Sequence, residues 1–455
     1  MPVRFGGMQT QSTQKPWTRS EKALLWVIVL VVIGCIGGYL GWDDINALPA
    51  VTVPTPAMPS PNAFTYFLAA GNSLVNGNKI GFAIEPPSTV SPTAPPSTPD
   101  DHVYTLAQKD ALVAENDTTL QLLHQGFSYP YMSPPVRSFT TLMPYYAPDR
   151  GLARLLFLQA QVQSAQGDEN GAMNSCLDAV QEGEMLPHGG PMIGMLVGIA
   201  CQAIGRRQAW ALVDHLSAAQ ALTAAHRLER IDALHVSYAD ILQSEEWGTQ
   251  AGLMEILRQP HWASNFFSET GEDDTTSIPL ATRIQISLTP KRTIMHNYTA
   301  YMDQLVANAG HPYAEKLPSP PLPTDPFNAI LLPIFDGAKL KDVDSETQNA
   351  LLIVTLALRA YYVQHGAYPA TLNALVPQYL THVPDDPFVL SGPLRYKTTG
   401  STYVLYSIGP DGKDDGGKPI FDTTKPAPAV GAATDSRRYS QPDSIGDIVA
   451  GINLI

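Results

Sequence analysis

Asp411, Asp414 and Asp415 crowd within five residues of a glycine-rich stretch, GPDGKDDGG. Their mutual repulsion would be relieved by a hard cation held through oxygen ligands. A solvated acidic turn without an ion is the other reading of the same residues. Gly412, Gly416 and Gly417 permit positive φ, so the chain can wrap tightly there. An EF-hand is excluded because Lys413 takes its third position. Elsewhere the chemistry is sparse. HExxH, Walker, GxGxxG and GxSxG patterns are absent. His215 and His226 stand three helical turns apart, ~16 Å, too far to share a metal. His226 and Glu229 are close enough to pair on a helix. Cys176 and Cys201 are open to two readings, one disulfide or two buried thiols, and no CxxC or Cys/His spacing indicates zinc. No serine is singled out as a nucleophile. The sequence therefore reads as non-enzymatic.

The elements that carry these residues begin at a membrane. Ala23 to Trp42 is twenty residues without a charge, enough to cross ~30 Å of hydrocarbon as a helix. Arg4, Lys15, Arg19 and Lys22 precede it against Glu21 alone, and Asp43 and Asp44 follow. The positive flank predicts a cytoplasmic N-terminus and a body on the far side. A second reading is a lipoprotein box, Val32-Ile33-Gly34-Cys35, acylated at Cys35. Both place the body on the same side. The chain has 455 residues and a net charge of −14, which excludes a nucleic-acid binder, since phosphate needs a basic surface.

Residues 1–22 read as a cytoplasmic tail, 23–42 as the anchor and 43–61, with five prolines, as an extended linker. A helical domain is expected over 62–316, with helices at 62–75, 104–126 and repeatedly from 149 to about 259. A Pro/Ser/Thr-rich loop lies between, near 85–100. Gly167-Asp168 breaks one helix into a hairpin, and Thr289-Pro290 opens another whose stripe is Ile294, Tyr298, Tyr301 and Leu305. The first hairpin resembles a tetratricopeptide-like repeat, with Ala160, Gly167 and Ala172 at the small positions. LPSPPLPTDP, residues 317–326, marks a domain boundary. A small α+β domain follows over 327–455: a helix from Ser345 to Gly366, a hairpin of 394–398 with 403–407, and an inserted loop at 418–445.

The order of residues in that last part resembles the globular head of the major pseudopilin of type II secretion systems. The helix ends in Tyr361-Tyr362, followed by Gly366, Tyr368-Pro369, Val376-Pro377, Tyr379-Leu380, Val383-Pro384 and Asp386-Pro387. Ser407-Ile408-Gly409-Pro410-Asp411-Gly412 closes the match, which covers about 75 contiguous residues. The resemblance implies a calcium site at Asp411 and Asp447, the latter before the closing strand Ile448-Val449, with Asp415 and Asp443 in reserve. Here Lys418-Pro419 and the insertion stand where the family's later acids follow directly. The anchor, SEKALLWV, lacks the family's processed N-terminus, so neither processing nor polymerisation is expected.

The combined expectation is an α+β protein of a bacterial inner membrane. It has one transmembrane helix, a mainly helical middle, a pseudopilin-like head stabilised by calcium, and protein partners in the envelope. Its role is structural or interactive, with a link to type II secretion or pilus-like assembly. The alternative is a periplasmic helical-repeat module that binds a peptide or protein.

Overall fold

The computed structural model describes residues 19–45, 48, 52–84, 104–269, 278–332, 335, 337–427 and 435–453. Arg4, Lys15, the 85–100 loop and the centre of the 418–445 insertion lie outside the described residues. The protein is mostly helical with a small three-stranded antiparallel sheet, the α+β class expected. It divides into two compact units, residues 1–50 with 256–294, and residues 51–255 with 295–455.

Helix α1 (Arg19–Ile45) contains the uncharged run. Its stretch Lys22–Gly41 has a mean hydropathy of 2.6 and no buried part, and is apolar and long enough to cross a membrane. Helices α2 (Ala63–Ser73) and α3 (Gly77–Ile84) follow, the first capped by the Asn62 side chain, which accepts from the Phe64 amide. The single helix expected over 104–126 is two, α4 (Leu106–Ala114) and α5 (Asp117–Gly126). Asn116 separates them. It is buried, and its side chain bonds both peptide groups of Val75 and the Leu112 carbonyl. Those tertiary bonds outweigh helix continuity, because a buried amide must be satisfied.

Helices α6 (Tyr146–Ala165) and α7 (Glu169–Met185) form the expected hairpin. Gly167 turns it at φ 86°, and Asp168 caps α7 by accepting from the Gly171 amide. Helix α8 (Met192–Leu212) packs back on α7. Next come α9 (Ala218–Asp232), opened by a Ser217/Gln220 capping box, and α10 (Tyr238–Arg258). After α11 (Trp262–Glu269) and α12 (Leu280–Leu288), α13 (Lys291–Ala309) starts directly behind Pro290. Ile294, Tyr298 and Tyr301 of its predicted stripe are buried. A short α14 (Pro326–Leu331) leads to α15 (Ala338–His365).

Helix α15 starts at Ala338 rather than Ser345, and every residue from Ala350 to Leu358 is buried. A helix covered on all sides is the centre of a core. Helices α8 and α9 pack on it, as does strand β2 of the sheet β1 (Arg395–Thr398), β2 (Tyr403–Ser407) and β3 (Ile448–Val449). The predicted hairpin is present, with Arg395 opposite Tyr406, and β3 pairs antiparallel with β2. Buried Asp386 latches the sheet to the preceding turn, accepting from Ser407 Oγ at 2.6 Å and from the Ile408 and Phe388 amides.

Leu177, Leu212 and Leu228 share one apolar cluster with Leu351, Leu358, Leu405 and Ile448. A second cluster, around Phe67, Leu123, Leu152 and Leu156, fills the space among α2 to α7. The boundary expected at 317–326 therefore does not divide two cores. The prolines there mark a connection, which is local, whereas the sharing of an interior is not. Cys176 and Cys201 sit in different clusters, both buried and unbridged, which settles the alternative in favour of thiols.

The crossing of α7 and α8 depends on two glycines. A Cβ on Gly198 would lie 2.3 Å from the Gly183 carbonyl oxygen, and one on Gly183 would lie 2.4 Å from that of Gly198. Alanine is ordinarily the better helix residue by about 1 kcal/mol. Here the overlap reverses the sign: Gly198→Ala should lower stability by roughly 1–3 kcal/mol, read as an earlier midpoint in denaturant. An unchanged or later midpoint would show that the helices can separate at no cost.

Candidate functional site

The acidic loop leaves β2 through glycines at positive φ: Gly409, Gly412, Gly416 and Gly417. Asp411 Oδ1 accepts from the Lys413 amide at 3.0 Å, an Asx turn, while its Oδ2 is buried without a hydrogen bond among the described residues. Lys316 Nζ donates to the Asp411 carbonyl at 2.9 Å. Asp414 accepts from the Gly416 amide and the Tyr406 hydroxyl, and these bonds hold its carboxyl below the ordinary range. Lys397 Nζ reaches the Gly416 carbonyl, and Arg395 lies 3.9 Å from Asp414.

Asp447 returns to this loop across the insertion. Its oxygens accept from the Gly417 amide at 2.7 Å and the Asp415 amide at 3.3 Å, and its own amide donates to the Lys418 carbonyl. Burial raises its carboxyl, against the lowering effect of those two amide bonds. Asp415 contributes its amide while its side chain is exposed, and Asp443 is exposed as well. Of the four predicted ligands, the structure therefore brings Asp447 to the loop that Asp411 opens, and leaves two carboxylates outside. The donor set is compatible with a cation on one specific point, the buried orphan oxygen of Asp411. Each Asp447 oxygen also keeps a second lone pair. Against this, Lys316, Lys397 and Arg395 already bring positive charge to the loop.

A second polar centre was not anticipated from the sequence. Arg206 is buried, and its Nη1 donates to Gln202 Oε1, Ser345 Oγ and Asn349 Oδ1 at 2.8, 3.1 and 2.8 Å. Asn349 passes the chain on, donating to Glu184 Oε1 at 2.9 Å and Asp232 Oδ1 at 3.3 Å. His235, in the α9–α10 turn, has Nε2 2.7 Å from Glu346 Oε1 and 3.8 Å from Asp342 Oδ2, with Nδ1 3.7 Å from Glu184 Oε2. Burial pulls His235 down, but the Glu184 and Glu346 carboxylates outweigh it and hold the imidazole up to about 11. Burial likewise pushes Asp342 and Asp344 up to about 7 and Asp232 to about 6, and pulls Arg206 down to about 10. The available signal was Asp342 and Glu346 at i and i+4, one face of a helix. It was lost because the helix was expected to start only at Ser345, which leaves Asp342 outside it. The expected His226–Glu229 pairing has a different outcome for the acid: Glu229 Oε1 accepts from the amide and hydroxyl of Thr381.

A third group is two acids facing each other's charge inside α6 and α7. Glu182 is fully buried and neither carboxyl oxygen has a hydrogen-bond partner among the described residues. Burial first, then Asp149 and Asp178, raise it well above the ordinary range. Burial pushes Asp149 up to about 7. Tyr131, Tyr145 and Tyr146 surround the pair, all raised chiefly by burial. Compared with protein-family models, curated proteins and solved structures, the chain has no match.

The Asp149 carboxyl is easier to protonate in the fold than in the unfolded chain. Its stabilising proton is fully present below about pH 4 and the advantage is lost as pH rises toward 7. Melting of the parent should therefore fall across that window. Asp149→Asn should melt higher than the parent at pH 8, by a few kcal/mol at most, and about equally at pH 4. Parallel pH profiles for the two proteins would show that this carboxyl is not held neutral.

Proposed function

We propose that the protein is a non-enzymatic component of a bacterial envelope. Helix α1 anchors it in the inner membrane with the N-terminus cytoplasmic, and the acidic body works in the periplasm as a structural or interaction partner of other envelope proteins. The observation that carries this reading is the bare apolar surface of α1, where Leu24, Trp26 and Leu30 are each more than 60% exposed. Such a surface is tolerable in lipid and costly in water. Arg19 and Lys22 on one side and Asp43 and Asp44 on the other set the direction. Acylation at Cys35 gives the same sidedness and is separated by the mass of the intact N-terminus.

The C-terminal part is read as a pseudopilin-like head, linking the protein to type II secretion or a pilus-like assembly. The succession of α15, hairpin, acidic loop and a closing strand preceded by Asp447 supports it. Calcium at Asp411 and Asp447 belongs to the same reading, and the orphan Asp411 Oδ2 supports it. A second reading, a helical module that binds a peptide, is favoured by a groove of ≈ 550 Å³ lined by Tyr238, Leu242, Tyr301, Leu305, Pro318 and Pro320.

Two measurements test these readings. Alkaline phosphatase fused at the C-terminus should be active in cells, and an inactive fusion at normal protein level would overturn the sidedness. For the loop, the full chain in detergent micelles should melt higher in calcium than in chelator, by ~2.7 kcal/mol at a hundred times Kd. Asp411→Asn should abolish the difference. Equal melting in calcium and chelator for the parent would overturn calcium binding at this loop.

A further inference from the structure

Asp342 and Glu346 lie one turn apart near the start of α15, and His235 projects from the α9–α10 turn to meet them. One ligand atom from each lies within 4.8 Å of the other two. Bonds of ~2.0–2.1 Å about a tetrahedral ion set ligand atoms roughly 3.3 Å apart. His235 Nε2 is already 2.7 Å from Glu346 and 3.8 Å from Asp342, values that bracket this separation.

Three further observations point to a ligand. First, the two ring nitrogens face different partners: Nε2 faces Asp342 and Glu346, whereas Nδ1 faces Glu184 at 3.7 Å. A metal-bound imidazole has this arrangement, with one nitrogen on the ion and the other turned to a carboxylate. Glu184 is itself fixed by the Asn349 amide at 2.9 Å. Second, Asp342 is 5% exposed and accepts no hydrogen bond among the described residues; its ion-pair contact is His235. A carboxylate in so closed a place is costly to keep charged unless a cation stands beside it or a proton neutralises it, and a bound ion would do the former. Third, Glu184, His235, Asp342 and Glu346 border a cavity of ≈ 10 Å³, enough for one water-sized body.

Glu184, Asp232, Asp342 and Glu346 face one imidazole. Arg206, hydrogen-bonded to Asn349 and Ser345, and Lys339, on the Asn308 and His311 carbonyls, are cations that act on the same acids from further off. We propose that His235, Asp342 and Glu346 bind a divalent first-row transition-metal ion, zinc by preference, with Glu184 orienting the imidazole and a water completing the shell. One imidazole with carboxylates and no thiolate suits zinc, and manganese less tightly. The ion replaces the proton between Nε2 and Glu346 and ties α15 to the α9–α10 turn. This site is separate from the acidic loop and does not depend on the calcium reading.

The test uses the full chain in detergent micelles, stripped with chelator and titrated with cobalt(II) as an optical probe, then with zinc in competition. One equivalent of cobalt should give visible d–d bands that zinc abolishes, and zinc should raise the melting temperature. Glu346→Gln keeps shape and a hydrogen bond to His235, so it should fold while binding about 100-fold more weakly. His235→Ala should lose the bands, and Asp411→Asn should keep them. No saturable cobalt site in the parent overturns the proposal and leaves His235 as an imidazolium among acids. Parent-like binding by both His235→Ala and Glu346→Gln places the metal elsewhere and overturns it equally.

Discussion

Helix α15 has to bury its polar beginning as well as its apolar centre, and the rest of the fold is arranged around that requirement. From Ala350 to Leu358 the helix needs only apolar neighbours, which α8, α9 and the sheet supply. Ser345, Gln348 and Asn349 are buried too, and each needs a bonded partner. Arg206 meets Ser345 and Asn349, and the Asn453 carbonyl meets Gln348. Removing one member leaves the others unsatisfied in a medium of low dielectric, so the network acts as a unit.

This arrangement explains why the helical body and the C-terminal part have one interior. The apolar residues of α15 would be content against any apolar surface. The directional bonds from Arg206, and from Asn349 to Glu184 and Asp232, select one orientation of α15 on α7, α8 and α9. The Glu182–Asp149 centre lies within the α6–α7 part of the same unit and has no such partner network. Its energy depends on protonation instead of pairing. Two buried acidic centres in one unit thus follow different rules, one bonded and one neutralised.

Much of the fold was legible because its signals are local. The Gly167-Asp168 break, the Ser/Thr-rich turn between β1 and β2, the glycines of the acidic loop and the uncharged run of α1 all declare themselves within a few residues. What was not legible depends on distant partners. Asn116 divides a helix because of Val75, and Ala338–Asp344 becomes helical because α15 is held at that end by groups more than a hundred residues away. The acidic loop shows both cases. The return of Asp447 to the loop that Asp411 opens follows the order along the chain, whereas the exposure of Asp415 and Asp443 follows from how the loop turns. His235 and Glu346, 111 positions apart, had no common local pattern.

The position of α15 along the chain also bears on how the protein is made. Synthesis runs from the N-terminus, so α6 to α9 are complete before α15 exists. Until it arrives, Leu212, Leu216 and Leu228 lack the neighbour that buries them. Nascent chains in this state expose apolar surface and are prone to wrong association. The last quarter of the polypeptide is thus the keystone of its own vault: the earlier helices wait, open on one side, for the segment that closes them. A chain interrupted before α15 would be left as an aggregation hazard and not as a smaller working protein.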